Sequence, residues 1–133
     1  MVFKKEKIKE YHKNYKSQKR KNDNLFKLTS NIRTLIKYSL KSKGFKKQSK
    51  TENILGCSFE EFKQHLESQF EPWMNWENYG LYNGELKYGW DVDHKIPLSL
   101  AKNEDEMIKL NHYINLQPLC SYYNRYIKSN KIK

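Results

Sequence analysis

Apolar residues recur at three- and four-residue spacing through Leu25–Lys43, which is the pattern of an amphipathic helix of about five turns. Asp23 or Asn24 can cap the start of this helix, and Gly44 can end it. Ser39 is a small polar break in the apolar stripe. The stripe itself consists of Leu25, Leu28, Ile32, Leu35, Ile36 and Leu40.

A second helix is predicted after Ser58, because Ser58 and Glu61 stand at the spacing of a capping box. Its apolar stripe consists of Phe59, Phe62, Leu66 and Phe70. Pro72 ends the pattern, since proline cannot continue a helix. Residues 51–58, which contain Gly56, are expected to form a short link between the two helices.

The C-terminal half alternates between β-compatible and helical patterns, and Asn83-Gly84 is its strongest turn signal. The predicted elements are a strand within Lys87–Leu98, a short helix at Asn103–Leu110, a strand at Ile114–Leu119 and a closing helix at Ser121–Lys131. We therefore predict an α+β fold, with helices in the N-terminal half and a hairpin plus helix in the C-terminal half.

Positive charge is concentrated in the first 50 of the 133 residues. Residues 1–50 carry 17 basic and 3 acidic side chains, residues 51–133 carry 9 and 12, and the formal net charge is +11. Residues 1–23 contain little that is apolar, which predicts a disordered or frayed helical arm. A basic arm in front of a weakly acidic body is typical of nucleic-acid-binding proteins.

The polar face of the first helix continues this positive charge through Arg33, Lys37 and Lys41. We predict that these three side chains contact nucleic-acid phosphates, the alternative being a simply solvated helix face. The chain is thus divided into a basic arm with a DNA-binding helix (residues 1–50) and a body (residues 51–133) that carries the candidate chemistry.

Several other classes of protein are excluded by the sequence. No run approaches the roughly 18 apolar residues that a membrane span needs, and the first 15 residues lack the apolar core of a signal peptide. Cys57 and Cys120 are the two cysteines, so a four-thiolate zinc site cannot form. We expect a cytoplasmic protein whose thiols are reduced.

One set of residues in the C-terminal half is a candidate catalytic and metal-binding site. It comprises the segment Trp90–Leu98, which contains Asp91, Asp93-His94, Lys95 and Pro97, then the segment Asn115–Cys120, which contains Gln117, and finally Asn124 and Lys128. Over about residues 57–131 this pattern resembles the HNH (ββα-metal) endonucleases, in particular the small phage and bacterial homing-type members. The resemblance implies a ββα-metal core in residues 51–133.

The resemblance also implies a role for each residue. His94 would be the general base, and Asp93 and Asn124 would bind the metal ion. Asn115 would orient the loop that carries the histidine. Because neighbouring residues on a strand point to opposite faces, Asp93 and His94 reach one phosphate only if the strand ends or bends at Lys95-Ile96-Pro97.

The remaining residues of the pattern have supporting roles in this interpretation. Lys95, Arg125 and Lys128 would meet phosphates, and Asp91 would be a structural hydrogen-bond acceptor. One carboxylate and one amide ligand favour a single Mg²⁺ or Mn²⁺ ion. The four-cysteine zinc ribbon of many relatives is missing from the sequence, so we expect no structural zinc and a core held by aromatic packing.

The expected function is therefore metal-dependent hydrolysis of DNA, most simply double-stranded DNA, by an enzyme of the kind that phages use in bacterial hosts. One such site cuts one strand, so a homodimer or two successive events would be needed to cut both. Two alternatives stay open: a non-catalytic DNA-binding protein on an HNH scaffold, and an RNA-directed nuclease or secreted nuclease toxin. His12, His65 and His112 are expected to lie outside the catalytic machinery.

Overall fold

Three helices precede the sheet in the computed structural model, which describes residues 9–10, 13–15 and 23–128. They are α1 (Asn24–Lys41), α2 (Thr51–Leu55) and α3 (Phe59–Glu67). The predicted arm falls largely outside the described residues, which include only two short helical pieces of it, 9–10 and 13–15.

The predicted N-terminal caps of both helices are confirmed, whereas α1 ends at Lys41 with Ser42 as its C-cap, two residues before the predicted Gly44. The Asp23 carboxylate accepts a hydrogen bond from the backbone N–H of Phe26 at 3.0 Å and so caps α1. Ser58 and Glu61 form the reciprocal capping box at the start of α3. Each cap satisfies a backbone donor that the helix itself cannot pair.

Residues 51–55, predicted as part of a link, form the single-turn helix α2. Ile54 and Leu55 of this helix are buried in the core. Gly56 ends the helix at φ +84°, and a Cβ atom at this position would lie 2.2 Å from Nε2 of His112. A helix of five residues is too short to produce a hydrophobic period, which explains why sequence patterning did not find it.

The sheet consists of two antiparallel strands, β1 (Trp90–His94) and β2 (Leu116–Cys120). Trp90 pairs with Cys120 and His94 with Leu116 at the two ends of the hairpin. The long connection contains a 3₁₀ turn (Leu98–Leu100), helix α4 (Glu104–Leu110) and a second 3₁₀ turn (Tyr113–Asn115). A π-helical segment, the closing helix (Tyr123–Lys128), follows β2. The α+β class is thus confirmed.

The helices and the sheet share one hydrophobic core. Leu28, Ile32 and Ile36 of α1 are fully buried in the same cluster as Phe62 of α3 and Trp90 of β1. Burial of such side chains contributes roughly 1.5–3 kcal/mol each. Although α1 belongs to the predicted basic half of the chain, it is therefore a structural part of the body.

Trp90 lies at the centre of an aromatic cluster beneath the sheet. Its ring centroid is 4.5 Å from that of Tyr79, 5.0 Å from Phe70 and 5.3 Å from Trp76. The indole N–H of Trp90 donates to the backbone oxygen of Asn75 at 2.7 Å. The cluster fixes the start of β1 and, through the strand, the position of its last residues.

Candidate functional site

Asn115 holds the backbone that follows β1. Its Oδ1 accepts from the Ile96 N–H at 2.9 Å, and its Nδ2 donates to the oxygens of Ile96 (3.1 Å) and Leu110 (2.8 Å). The backbone oxygen of Asn115 accepts from the Lys95 N–H at 2.7 Å. These bonds fix the path of the chain directly after His94, where β1 ends and the chain bends.

The His94 imidazole is hydrogen-bonded to Asn111, with 2.9 Å between Nε2 and the amide Oδ1. Asn111 is completely buried at the C-terminal end of α4. Its Nδ2 donates to Oγ of Ser39 at 2.9 Å and to the backbone oxygen of Met107 at 3.1 Å. A buried polar network thus connects α1, α4 and the end of β1.

Sequence reasoning missed Asn111, although one signal for it was present. Ser39 interrupts the apolar stripe of α1, and a polar residue on a buried helix face requires a polar partner. The partner could not be identified without the fold, because it lies 72 residues further along the chain.

Asp93 is 7% exposed, and its carboxylate is held by its cross-strand neighbour Gln117, whose Nε2 donates to Oδ2 at 3.0 Å. Directly opposed residues of an antiparallel pair point to the same face, so this contact follows from the register. Gln117 was part of the motif but was not predicted to be a site residue.

The closing helix contacts, through Arg125, the face of the hairpin to which Asp93 points. Asp91 and Asp93 share that face because they are two residues apart on β1. Arg125 of the closing helix lies 3.9 Å from Oδ2 of Asp91, and its guanidinium lies 4.4 Å above the Tyr82 ring. Asn124 is the half-buried neighbour of Arg125 on this helix, whereas the Lys128 side chain lies outside the described part of the chain.

Asp93 and Asn124 would supply one carboxylate and one amide oxygen to a metal ion. Mg²⁺ keeps several water ligands and takes only one or two protein carboxylates, so this set of hard oxygen donors fits Mg²⁺ or Mn²⁺. Within residues 23–128 and the two short N-terminal pieces, no group of three or more His, Cys, Asp or Glu residues could hold a metal ion. The candidate metal site thus depends on an amide in addition to acidic groups.

A basic groove runs along the other flank of α1. It consists of two adjoining hollows of about 550 and 370 Å³ that share Lys47. Its basic residues are Arg33, Lys37, Lys41, Lys46, Lys47 and Lys50, and Glu52 lines one of the two hollows. Neither of the two ion pairs found among the described residues involves the groove.

Lys47 lies at the centre of the basic groove, where its Nζ donates to Oγ1 of Thr51 at 2.6 Å. Partial burial lowers the pKa of the Lys47 ammonium, and the positive charges of Arg33 and Lys37 lower it further. Binding of an anion would reduce the electrostatic repulsion among these positive charges.

The basic groove and His94 lie on different sides of α1. At 100° per residue, Arg33, Lys37 and Lys41 are rotated about 120–200° around the helix axis from Ser39, which faces the His94 network. Of the predicted phosphate contacts, Lys95 is exposed and follows His94 directly in the chain, whereas these three lie on the side of α1 that faces away from the His94 network.

The chain is similar in sequence to a viral protein. Over 109 residues the chain is 32% identical to an uncharacterized protein of Acanthamoeba polyphaga mimivirus. The match covers 80% of the chain, which spans only about 44% of the length of that relative. No family model and no solved structure matches the chain. Among the described residues, no helix is long and apolar enough to cross a membrane.

Proposed function

We propose that the protein is a Mg²⁺- or Mn²⁺-dependent endonuclease of the HNH (ββα-metal) type that hydrolyses phosphodiester bonds in DNA. The observation that carries the proposal is the arrangement of three residues at the end of the hairpin. There, Asp93 and His94 are adjacent at the last two positions of β1. Asn115 clamps the backbone that follows them through two side-chain hydrogen bonds to Ile96, and a third anchors Asn115 to Leu110.

His94 is the general base in this proposal. A water oxygen forms a bond to phosphorus and the water loses a proton to the imidazole. The bond from phosphorus to the 3′ oxygen breaks, and the leaving 3′ oxygen takes a proton from solvent water. Histidine is the side chain whose charge changes closest to cellular pH, and the lone pair of its neutral ring can accept that proton. The products are a 5′-phosphate and a 3′-hydroxyl.

Asp93 and Asn124 would hold the divalent cation. When bound, the cation supplies positive charge for the phosphate and for the leaving 3′ oxygen. Gln117 supports this role because its hydrogen bond holds the Asp93 carboxylate in one orientation. The ββα-metal arrangement is supported by the closing helix, which lies against the face of the hairpin that carries Asp93.

The basic groove would bind the nucleic-acid backbone away from the cut. An α-helix with its side chains is about 10–12 Å wide, and duplex DNA carries one charge per about 1.7 Å of axis. If one duplex contacts both His94 and the groove, the phosphates that contact Lys37 and Lys47 would therefore lie several base pairs from the cleaved bond. The viral relative supports an origin of the gene in a virus or phage genome.

The experiment is incubation of the purified full-length chain with supercoiled plasmid in Mg²⁺ or in EDTA. We expect nicked circles to appear first in Mg²⁺, since one site cuts one strand, and no cutting in EDTA. His94→Ala should abolish cleavage while DNA affinity changes by no more than a few-fold, because the base acts only in the transition state.

His112→Asn is the matched control. His112 caps the second 3₁₀ turn by accepting from the Ile114 N–H at 3.3 Å, and asparagine can keep such a cap. This variant should cut at the parental rate. Undiminished cutting by His94→Ala would refute the proposal. Binding without cutting would favour the DNA-binding alternative, and cleavage confined to RNA would favour the RNA-directed one.

A further inference from the structure

Asn111 is a fully buried amide that contacts the proposed general base from outside the motif. It lies 17 residues after His94, at the position that caps the C-terminal end of α4. An apolar residue such as leucine would fill this place in the core without the cost of burying an amide, about 1–3 kcal/mol when its hydrogen bonds are not made. The amide therefore needs an explanation beyond packing.

Two hydrogen bonds fix which way the amide points. The backbone oxygen of Met107 can only accept, so it requires the Nδ2 donor at 3.1 Å. The Ser39 hydroxyl donates its own proton to the oxygen of Ile36 at 2.8 Å, so its Oγ also accepts from Nδ2 at 2.9 Å. Both acceptors place the amide nitrogen away from His94 and the amide oxygen towards it.

The direction of the amide determines the tautomer of His94. An amide oxygen can only accept, so Nε2 of His94, 2.9 Å away, must carry a proton. A neutral imidazole has one N–H and one lone pair. The lone pair of neutral His94 is therefore on Nδ1.

We infer that Asn111 is a positioning residue, which fixes the ring of His94 and keeps Nδ1 as the nitrogen that accepts the proton from the attacking water. This inference rests on the proposed nuclease function. As Nδ1 gains the proton, the bond from Nε2–H to the amide oxygen is retained and stabilises the imidazolium. In this arrangement a third group, the Asn111 amide, orients the base His94, as in catalytic triads.

The first test is nitrogen NMR of the His94 ring in the full-length chain, at a pH where the imidazole is neutral. We expect a protonated Nε2 whose proton exchanges slowly with water because it is hydrogen-bonded to a buried oxygen. Asn111→Leu, which has a similar volume and no acceptor, should lose this slowly exchanging proton. A proton on Nδ1 in the parent protein would overturn the inference, whether or not the protein cuts DNA.

The second test is single-turnover cleavage. Asn111→Leu should slow the cleavage step by at least about tenfold, up to the 10²–10⁴ that a general base contributes, with the KM within a few-fold of the parent. Asn111→Asp retains an acceptor for Nε2–H and should keep the slowly exchanging proton. Ser39→Ala is the milder comparison: it removes one of the two acceptors of Nδ2 and leaves the hydrogen bond from Nδ2 to the Met107 oxygen, so it should slow cleavage less than Asn111→Leu does.

The outcomes separate this inference from the proposed function. Parental cleavage rates in Asn111→Leu would refute the positioning role even if the protein is a nuclease. If the parent cuts neither DNA nor RNA, the proposed function fails, while the NMR spectrum still decides whether Asn111 holds His94. If Asn111→Leu does not fold, the tautomer in the parent and in Asn111→Asp still tests the inference.

Discussion

Replacing Asn115 with alanine should destabilise the protein because three hydrogen bonds are lost at once. The side chain is 8% exposed and connects the loop after β1 to the last turn of α4. Each net hydrogen bond is worth about 0.5–1.5 kcal/mol, and a buried carbonyl left unpaired costs about 1–3 kcal/mol. Ile96 is 52% exposed and its backbone groups can regain water, whereas the oxygen of Leu110 loses its amide partner at a part-buried position.

The expected loss in the free energy of unfolding is therefore about 2–3 kcal/mol. Urea denaturation should show it as a lower midpoint with an unchanged slope, and the melting temperature should fall by about 3–5 °C per kcal/mol. Asn115→Asp keeps the oxygen that accepts from Ile96 but loses both donated bonds, to the oxygens of Ile96 and Leu110. It also sets a carboxylate oxygen against these two carbonyls, so its loss should be at least as large.

Asn83→Ala is the matched control for this measurement. Its side chain accepts one hydrogen bond, from the Glu85 N–H at 3.0 Å, in an exposed turn. This variant should lose less than about 1 kcal/mol. A loss below about 0.5 kcal/mol for Asn115→Ala, or equal losses in both variants, would contradict the view that this amide clamps the loop.

Three further predictions concern the metal, the basic groove and a thiol. Asp93→Asn keeps the shape of the ligand but removes its charge, so half-maximal cleavage should require at least about tenfold more Mg²⁺; an unchanged Mg²⁺ titration would exclude Asp93 as a ligand. Lys37→Gln with Lys41→Gln should flatten the slope of log affinity against log salt by about 1.8, with the cleavage rate at saturating DNA unchanged; an unaltered slope would mean that the groove does not bind DNA. Burial, with the charges of Glu61 and Glu52, raises the pKa of the Cys57 thiol to about 11. Its alkylation at pH 8 should thus be about a hundredfold slower than that of a free cysteine and should accelerate up to about pH 11; a plateau near pH 8.5 would contradict this.

Local signals in the sequence predicted most of the elements because they act within a few residues. The Asp23 and Ser58 caps and the apolar stripe of α1 depend only on neighbours along the chain, and the structure contains them. The contacts of the site depend on packing between distant segments. Asn111 meets Ser39 only because α4 lies against α1, and Gln117 meets Asp93 only in one strand register.

The groups that orient the candidate site residues are amides, and their lack of charge is important for a polyanionic substrate. Asn111, Asn115 and Gln117 hold the proposed base, the loop and the proposed metal ligand without adding negative charge. A carboxylate in place of the Asn111 amide would favour the imidazolium form of His94 and would repel the phosphodiester. Asn111→Asp should therefore preserve the tautomer of His94 yet slow cleavage at neutral pH, and the rate should recover as the pH is raised. Recovery of the parental rate at high pH in Asn111→Asp, but not in Asn111→Leu, would separate the charge of this position from its geometry.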